Sequence, residues 1–96
     1  MNPDYKTFYR DFTIAETCGG AKDIRDTYKR AFAAWKDNVE YFAALVLTLN
    51  HKIWEMHDRG DNETGLLYDG LWRKAHSYGA RHFKGKDAEY YYNFLD

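Results

Sequence analysis

Seven consecutive apolar residues, Tyr41 to Leu47, form the longest apolar run in the chain. The segment around them has the apolar period of an α-helix, and a helix that is apolar on every face must be covered by neighbours on several sides. This run therefore predicts a central helix at about residues 38–59. The side chains that we expect it to bury are Phe42, Leu45, Val46, Leu49 and Ile53.

Residues typical of helix ends divide the rest of the chain into further helices. The expected boundaries are Ala21 to Trp35, Asp37 and Gly60 around the central helix, Glu63 to Phe83 after a cap at Asn62, and a short last helix from Asp87. The first part is predicted as a helix from Asn2-Pro3-Asp4 to about Asp11, then a separate short turn that begins with a Thr13-x-x-Glu16 capping box. No run of alternating β-branched residues indicates a strand. The prediction is an all-α fold, a compact bundle of four to five helices in a single domain, residues 1–96.

The composition is that of a globular chain with an unusually large aromatic content, 18 of 96 residues. A net charge of −1 gives no long-range attraction to a membrane or to nucleic acid, so we expect neither as a partner. The single cysteine, Cys18, has no partner for an internal disulfide. Because the chain also lacks an apolar run of membrane-spanning length and a signal-peptide pattern near Met1, a cytoplasmic location is expected.

Four stretches together carry a resemblance to a known family. They are DFTIAE at residues 11–16, IRDTYKRAFAAWK at 24–36, LVLTLNHKIWE at 45–55 and LYDGLW at 67–72. With the tyrosine-rich C-terminal helix, they resemble a family of small uncharacterised helical proteins from gut Bacteroidales and their phages or mobile elements. The resemblance covers most of the chain, and it implies a bacterial or phage origin. Its motifs are mainly core-type residues, so it implies no catalytic residue.

Residues that could carry catalysis do not form a recognisable set in the sequence. His51, Glu55 and Asp58 are spaced to face one way on a helix, but this spacing is more typical of a solvated polar face than of a metal site. Arg73 and His76 are too close in sequence for the Arg–His pair of helical ribonucleases. We therefore expect no enzyme activity, no metal and no cofactor.

The charge along the fourth predicted helix changes from acidic to basic. From Gly70 to Lys86 there are five basic residues and no acidic one. Guanidinium groups suit phosphate and aromatic rings suit bases, so this end is a candidate anion site. The candidate residues are Trp72, Arg73, His76, Arg81, His82 and Lys84. The alternative is that the cations only complement the helix dipole, which favours positive charge at a C-terminus.

Polar residues also border the apolar stripes of the second and third helices. Thr27 and Arg30 lie beside the Tyr28 face, and Asn50 and Trp54 lie on the central helix. These residues suggest a small polar pocket between the two helices, formed by Thr27, Arg30, Asn50 and Trp54. A hydrogen-bonded network that fixes the register of the helices is the alternative, because a buried Asn needs partners.

Two functions are compatible with these features. The first is a non-enzymatic binding protein of phage or mobile-element type, including a counter-defence role, which sequesters a nucleotide-like phosphorylated ligand or blocks a host protein. The second is a structural or interaction protein with no small-molecule ligand. It would form a homo-oligomer through its aromatic C-terminal helix, since Tyr and Trp are favoured at interfaces.

Overall fold

Five α-helices follow one another in the computed structural model, which describes residues 5–95. They are α1 (Tyr5–Cys18), α2 (Ala21–Trp35), α3 (Val39–Arg59), α4 (Asn62–His82) and α5 (Lys86–Leu95). This part of the chain contains no strand, and the predicted all-α bundle is confirmed. The radius of gyration of the Cα atoms is 12.8 Å, close to the value of about 12.5 Å expected for a compact domain of this length.

The first helix is longer than the sequence predicts. α1 continues without a break to Cys18, and the expected break after Asp11 is wrong. Thr13 does not act as a cap, because its Oγ1 donates a hydrogen bond to the carbonyl oxygen of Tyr9 one turn earlier, at 2.9 Å. The helix ends at Gly19-Gly20, where Gly20 has a φ of 69°. The predicted Asn2-Pro3-Asp4 cap lies outside the described residues.

The caps of the two long helices are each displaced by one residue from their predicted positions. Asn38, and not Asp37, caps α3, since its side chain accepts a hydrogen bond from the backbone N–H of Tyr41. Asp61, and not Asn62, caps α4 by accepting from the N–H of Thr64. Gly60 ends α3 in the left-handed conformation, with a φ of 79°, as its position predicts.

Helix α3 is the centre of the bundle and contacts each of the other four helices. Four of its five expected core residues have no exposed surface: Phe42, Leu45, Val46 and Leu49. Ile53 is only partly buried, because it lies at the margin of the core. Aromatic side chains from the neighbouring helices complete the packing, with Tyr68 of α4 and Tyr91 of α5 also fully buried. The aromatic surplus is therefore used largely inside the fold.

One glycine lets α5 approach α4 closely. A Cβ at Gly79 would lie 2.6 Å from the ring of Tyr91 on α5, whereas a Cβ at Gly65 would lie at an ordinary contact distance of 3.5 Å from the Cβ of Met56 on α3. Helix α4 also contacts α2. Among residues 5–95, no helix has both the length and the apolar character needed to cross a membrane.

Candidate functional site

A groove between α2 and α4 brings together basic and aromatic side chains from both helices. Its volume is about 600 Å³, and we call it the α2–α4 groove. The residues that line it are Tyr28, Lys29, Phe32, Arg73, Lys74, Ser77, Tyr78 and Arg81. Four of these residues are cationic and none is acidic, so the lining carries a local positive charge although the whole chain is close to neutral.

The floor of the groove consists of three aromatic rings. Phe32 meets Tyr78 edge to face, with 4.9 Å between the ring centroids, and is 5.9 Å from the ring of Tyr28. Tyr28 is buried, while Phe32 and Tyr78 are half-buried and reach the surface of the groove. Burial raises the pKa of the Tyr28 hydroxyl, so this side chain stays neutral. The floor therefore offers apolar ring surface to a ligand.

The four cations of the rim differ in how they are held. Nε of Arg73 donates a hydrogen bond to Asp69 at 2.8 Å, which partly balances its charge. Nε of Arg81 donates to the backbone oxygen of Ser77 at 3.2 Å, which fixes the side chain without neutralising it. Lys29 and Lys74 form no hydrogen bond or ion pair with any described residue. Most of the positive charge is thus available to an anion.

The sequence-predicted anion residues are divided among several places. Arg73 and Arg81 line the groove, since they lie two turns apart on one face of α4. Trp72 and His76 lie on the side of α4 that faces α5, where their rings stack at 5.3 Å and His76 Nδ1 is 2.8 Å from the Tyr91 hydroxyl. These two side chains take part in packing between α4 and α5.

The remaining two predicted anion residues lie near the end of α4. Nε2 of His82 is 2.9 Å from a carboxylate oxygen of Asp37, which ties the end of α4 to the α2–α3 connection. The His82 ring also stacks on Tyr78, with 4.7 Å between centroids. Lys84 is exposed in the turn between α4 and α5 and does not line the groove.

The predicted polar pocket between α2 and α3 is not assembled as expected. Arg30 donates a hydrogen bond to Thr27 at 3.3 Å, and both line a cavity of about 550 Å³ between α1 and α2. Trp54 is 63% exposed on α3 and contacts His57, while Asn50 is half-buried on the same helix. Thr27 and Arg30 therefore lie apart from Asn50 and Trp54. Thr27 faces α1, whereas Trp54 points outward from α3.

A second polar cluster lies around a lysine that the structure buries completely. Nζ of Lys52 lies 2.7 Å from Thr13 Oγ1, 2.8 Å from a Glu55 oxygen and 3.0 Å from a Glu16 oxygen. Its charge also lies 4.1 Å from the centroid of the Tyr9 ring. The lysine side chain has no exposed surface and that of Glu16 is 9% exposed, so α1 and α3 are joined by a buried ion pair.

The carboxylates of this cluster have further partners. The Tyr68 hydroxyl donates to Glu16 at 2.5 Å, and the Tyr9 hydroxyl donates to Glu55. Burial by itself would raise the pKa of Glu55, but hydrogen bonds from Lys52 and Tyr9 outweigh it and the pKa is lowered. The hydrogen bond to Glu55 raises the pKa of Tyr9 to about 12. At neutral pH, Glu55 is therefore ionised and the Tyr9 hydroxyl stays protonated.

Arg59 completes the charge balance of the cluster. Its guanidinium lies 3.6 Å from Glu16 and 3.6 Å from Glu55, so two cations face two carboxylates. Arg59 and Glu16 also line a cleft of about 260 Å³. Because the charges are already paired inside the protein, we assign this cluster to holding α1 on α3 and not to ligand binding.

Comparison with known proteins gives no relative from which a role could be transferred. No family model, curated protein or solved structure matches the chain. Within residues 5–95, no three His, Cys, Asp or Glu side chains are grouped so as to hold a metal ion. The α2–α4 groove is therefore the feature of this chain that bears on its function.

The sequence-based prediction did not include the α2 side of the groove and did not identify the lysine cluster. Lys29 and Phe32 belong to α2, and only the packing of α2 beside α4 brings them to Arg73 and Arg81. The spacing of one residue in the sequence could have indicated the lysine cluster. Lys52 lies three residues after Leu49 and four before Met56, so it falls on the buried face of α3.

Proposed function

We propose that this protein is a non-enzymatic binding protein that sequesters a nucleotide-like phosphorylated ligand in the α2–α4 groove. The observation that carries the proposal is the ring of four cations, Lys29, Arg73, Lys74 and Arg81, around a floor of aromatic side chains. Arginine and lysine suit phosphate oxygens, and aromatic rings suit the flat faces of bases. The groove offers both within one site.

The size and composition of the groove support a small-molecule ligand. A volume of about 600 Å³ falls within the usual range of ligand sites, which is about 300–1,000 Å³. Phe32 and Tyr78 are half-exposed at the floor, and a base stacked on such a ring contributes about 1–3 kcal/mol. Binding of this kind needs complementary charge and stacking, so the proposal assigns no reaction to the groove.

The resemblance to proteins of gut Bacteroidales and their phages or mobile elements suggests a setting. A small phage protein that removes a signalling nucleotide from the host cytoplasm would act in counter-defence. A protein that blocks a host protein through the same basic surface would serve the same end. We favour the nucleotide because stacking rings and cations lie together in one concave site.

Isothermal titration calorimetry tests the proposal directly. AMP, cyclic dinucleotides and ADP-ribose are titrated into wild-type protein and into Lys74→Gln and Arg81→Gln. Each substitution should weaken binding about tenfold or more, as expected for loss of a charge-assisted hydrogen bond. Binding should also weaken as salt rises, because charges at an exposed site are screened over about 8 Å at physiological ionic strength.

Lys86→Gln is the matched control, since it removes the same charge from the exposed start of α5, outside the groove. It should bind every nucleotide as tightly as wild type. The proposal is wrong if no member of the panel produces heat of binding. It is also wrong if the control weakens binding as much as the groove variants do, because the attraction would then be nonspecific.

Self-association through α5 is a second candidate function. Tyr90, Tyr92 and Phe94 are each more than one third exposed, and the rings of Tyr90 and Phe94 stack at 5.9 Å on the surface of the helix. Exposed aromatic side chains of this kind favour an interface. Analytical ultracentrifugation of wild type and of the double variant Tyr90→Ser/Phe94→Ser distinguishes an oligomer from a monomer. A monomer at high concentration for both proteins would remove this candidate.

A further inference from the structure

The α2–α4 groove does not end at its basic part. Toward the start of α4 it continues into a second cavity of about 440 Å³, which we call the leucine lobe. Its lining residues are Arg25, Tyr28, Lys29, Glu63, Leu66, Leu67, Gly70, Leu71 and Lys74. Tyr28, Lys29 and Lys74 line both cavities, so the two form one continuous groove.

The continuous groove is long compared with one nucleotide. Its residues on α4 run from Glu63 to Arg81, which at 1.5 Å per residue corresponds to about 27 Å of helix. The basic part alone already has the volume of a complete small-ligand site. A ligand that uses the whole groove must therefore have a second part, which lies in the leucine lobe.

The leucine lobe suits a second flat and largely apolar group. Leu66 is 72% exposed there, and Gly70 leaves open space, since a Cβ at this position would have no neighbour within 4 Å. Arg25 adds a planar guanidinium, which stacks well on rings. Glu63 adds a carboxylate, which accepts a hydrogen bond from the amino group of a base and has no such use against an alkyl chain.

Two lysines mark the junction between the lobes. Lys29 on α2 and Lys74 on α4 line both cavities from opposite sides, and neither forms an ion pair with a described residue. Their ammonium groups can approach one anionic group from two directions. A phosphate that joins the two halves of a ligand would lie at this point.

We propose that the ligand is a dinucleotide, with one base in the basic part, one base in the leucine lobe, and the linking phosphate between Lys29 and Lys74. This inference rests on the proposed function and names the class of nucleotide that the groove selects. The basic part holds the first base on Phe32 and Tyr78. Arg73 and Arg81 then bind a terminal phosphate. The leucine lobe gives the groove its preference for a dinucleotide over a mononucleotide.

The experiment compares AMP with 5′-phosphoryl di-adenylate on wild-type protein and on Gly70→Leu. The substitution fills the leucine lobe, and it should fold because the position faces open space and leucine favours a helix more than glycine does. Wild type should bind the dinucleotide at least tenfold more tightly than AMP. Gly70→Leu should abolish this advantage and leave the affinity for AMP within twofold of wild type.

Gly70→Ala is the matched control, because a single methyl group leaves most of the lobe open, and it should keep the preference for the dinucleotide. Circular dichroism melting verifies that each variant is folded. Equal affinity of wild type for AMP and the dinucleotide, with AMP binding still sensitive to Arg81→Gln, would overturn this inference and leave the proposed function standing.

Two other results would also overturn the dinucleotide assignment. A 12-residue oligoadenylate that binds many times more tightly than the dinucleotide would indicate an open-ended nucleic-acid site. No binding of either nucleotide would overturn this inference, and the proposed function would fall with it if cyclic dinucleotides and ADP-ribose also gave no heat of binding. An unchanged dinucleotide affinity in Gly70→Leu would show that the leucine lobe is not occupied.

Discussion

The buried lysine allows the sharpest test of how the fold is held together. Lys52→Met replaces the ammonium group with an apolar side chain of similar length. The substitution leaves Glu16 and Glu55 without the cation that lies 3.0 Å and 2.8 Å from them. Glu16 is 9% exposed, so water cannot readily replace the lost partner. The variant therefore holds a carboxylate that has lost its nearest cation at a largely buried position.

The expected loss of stability follows from the pairing that remains. Removing one partner of a buried ion pair costs about 3–5 kcal/mol. Arg59 stays 3.6 Å from both carboxylates, which places the expected loss near the lower end, at about 3 kcal/mol. A domain of this size has a free energy of unfolding of about 5–14 kcal/mol. The melting temperature should fall by about 12–24 °C.

Thermal denaturation followed by circular dichroism at pH 7 measures this loss. Lys22→Met is the control, since Lys22 is 84% exposed in its pair with Asp26 and its loss should change the melting temperature little. Adding Glu16→Gln and Glu55→Gln to Lys52→Met should recover at least about 1 kcal/mol, because the uncompensated charges are then removed. A fall of less than about 3 °C for Lys52→Met would refute the assignment of a stabilising role to the ion pair.

Four further substitutions test the packing and the electrostatics. Leu49→Ala removes a fully buried side chain from the central helix and should lower the free energy of unfolding by about 2–5 kcal/mol in urea denaturation. Gly79→Ala places a methyl group 2.6 Å from the buried Tyr91 ring and should cost about 1–2 kcal/mol, whereas Gly70→Ala, which meets nothing within 4 Å, should stabilise by about 0.5–1 kcal/mol. If both glycine variants change the melting temperature in the same direction, the close approach of Tyr91 to Gly79 does not determine the effect of the substitution on stability. The folded-state pKa of Glu55 is lowered from its ordinary value of 4.5, so its contribution is complete above pH 4.5 and is lost as the pH falls through the lowered value. Glu55→Gln should thus lose less stability than wild type between pH 7 and about pH 3, and an unchanged pH profile would contradict this.

Much of the helical framework can be predicted from local sequence. The apolar run at Tyr41–Leu47 predicts the central helix, and Gly60 and Gly85 mark two of the helix ends with positive φ values. The error at α1 has a local cause. A Thr-x-x-Glu pattern is a capping box only where the backbone leaves the helix, and the burial of Phe8, Phe12 and Ala15 on one face keeps α1 continuous through it.

Only the α4 side of the candidate site can be predicted from the sequence, for a different reason. The spacing of Arg73 and Arg81 on α4 follows from the helix period alone. Their meeting with Lys29 and Phe32 depends on which face of α2 lies beside α4. The sequence-based prediction places Trp72 and His76 in the same site as the arginines because they are close along the chain. In the structure they point toward α5 instead, because each residue along an α-helix turns the side-chain direction by about 100°.

The sequence by itself determines the all-α class, the central position of α3 and the basic end of α4, because these depend on periodicity and composition along one segment. Only the tertiary structure determines that Lys52 is neutralised by Glu16 from α1, and that four cations from two helices surround one aromatic floor. Both arrangements depend on pairs of residues far apart in the chain. Their proximity is set by the packing of whole helix faces, which no local pattern of residues encodes.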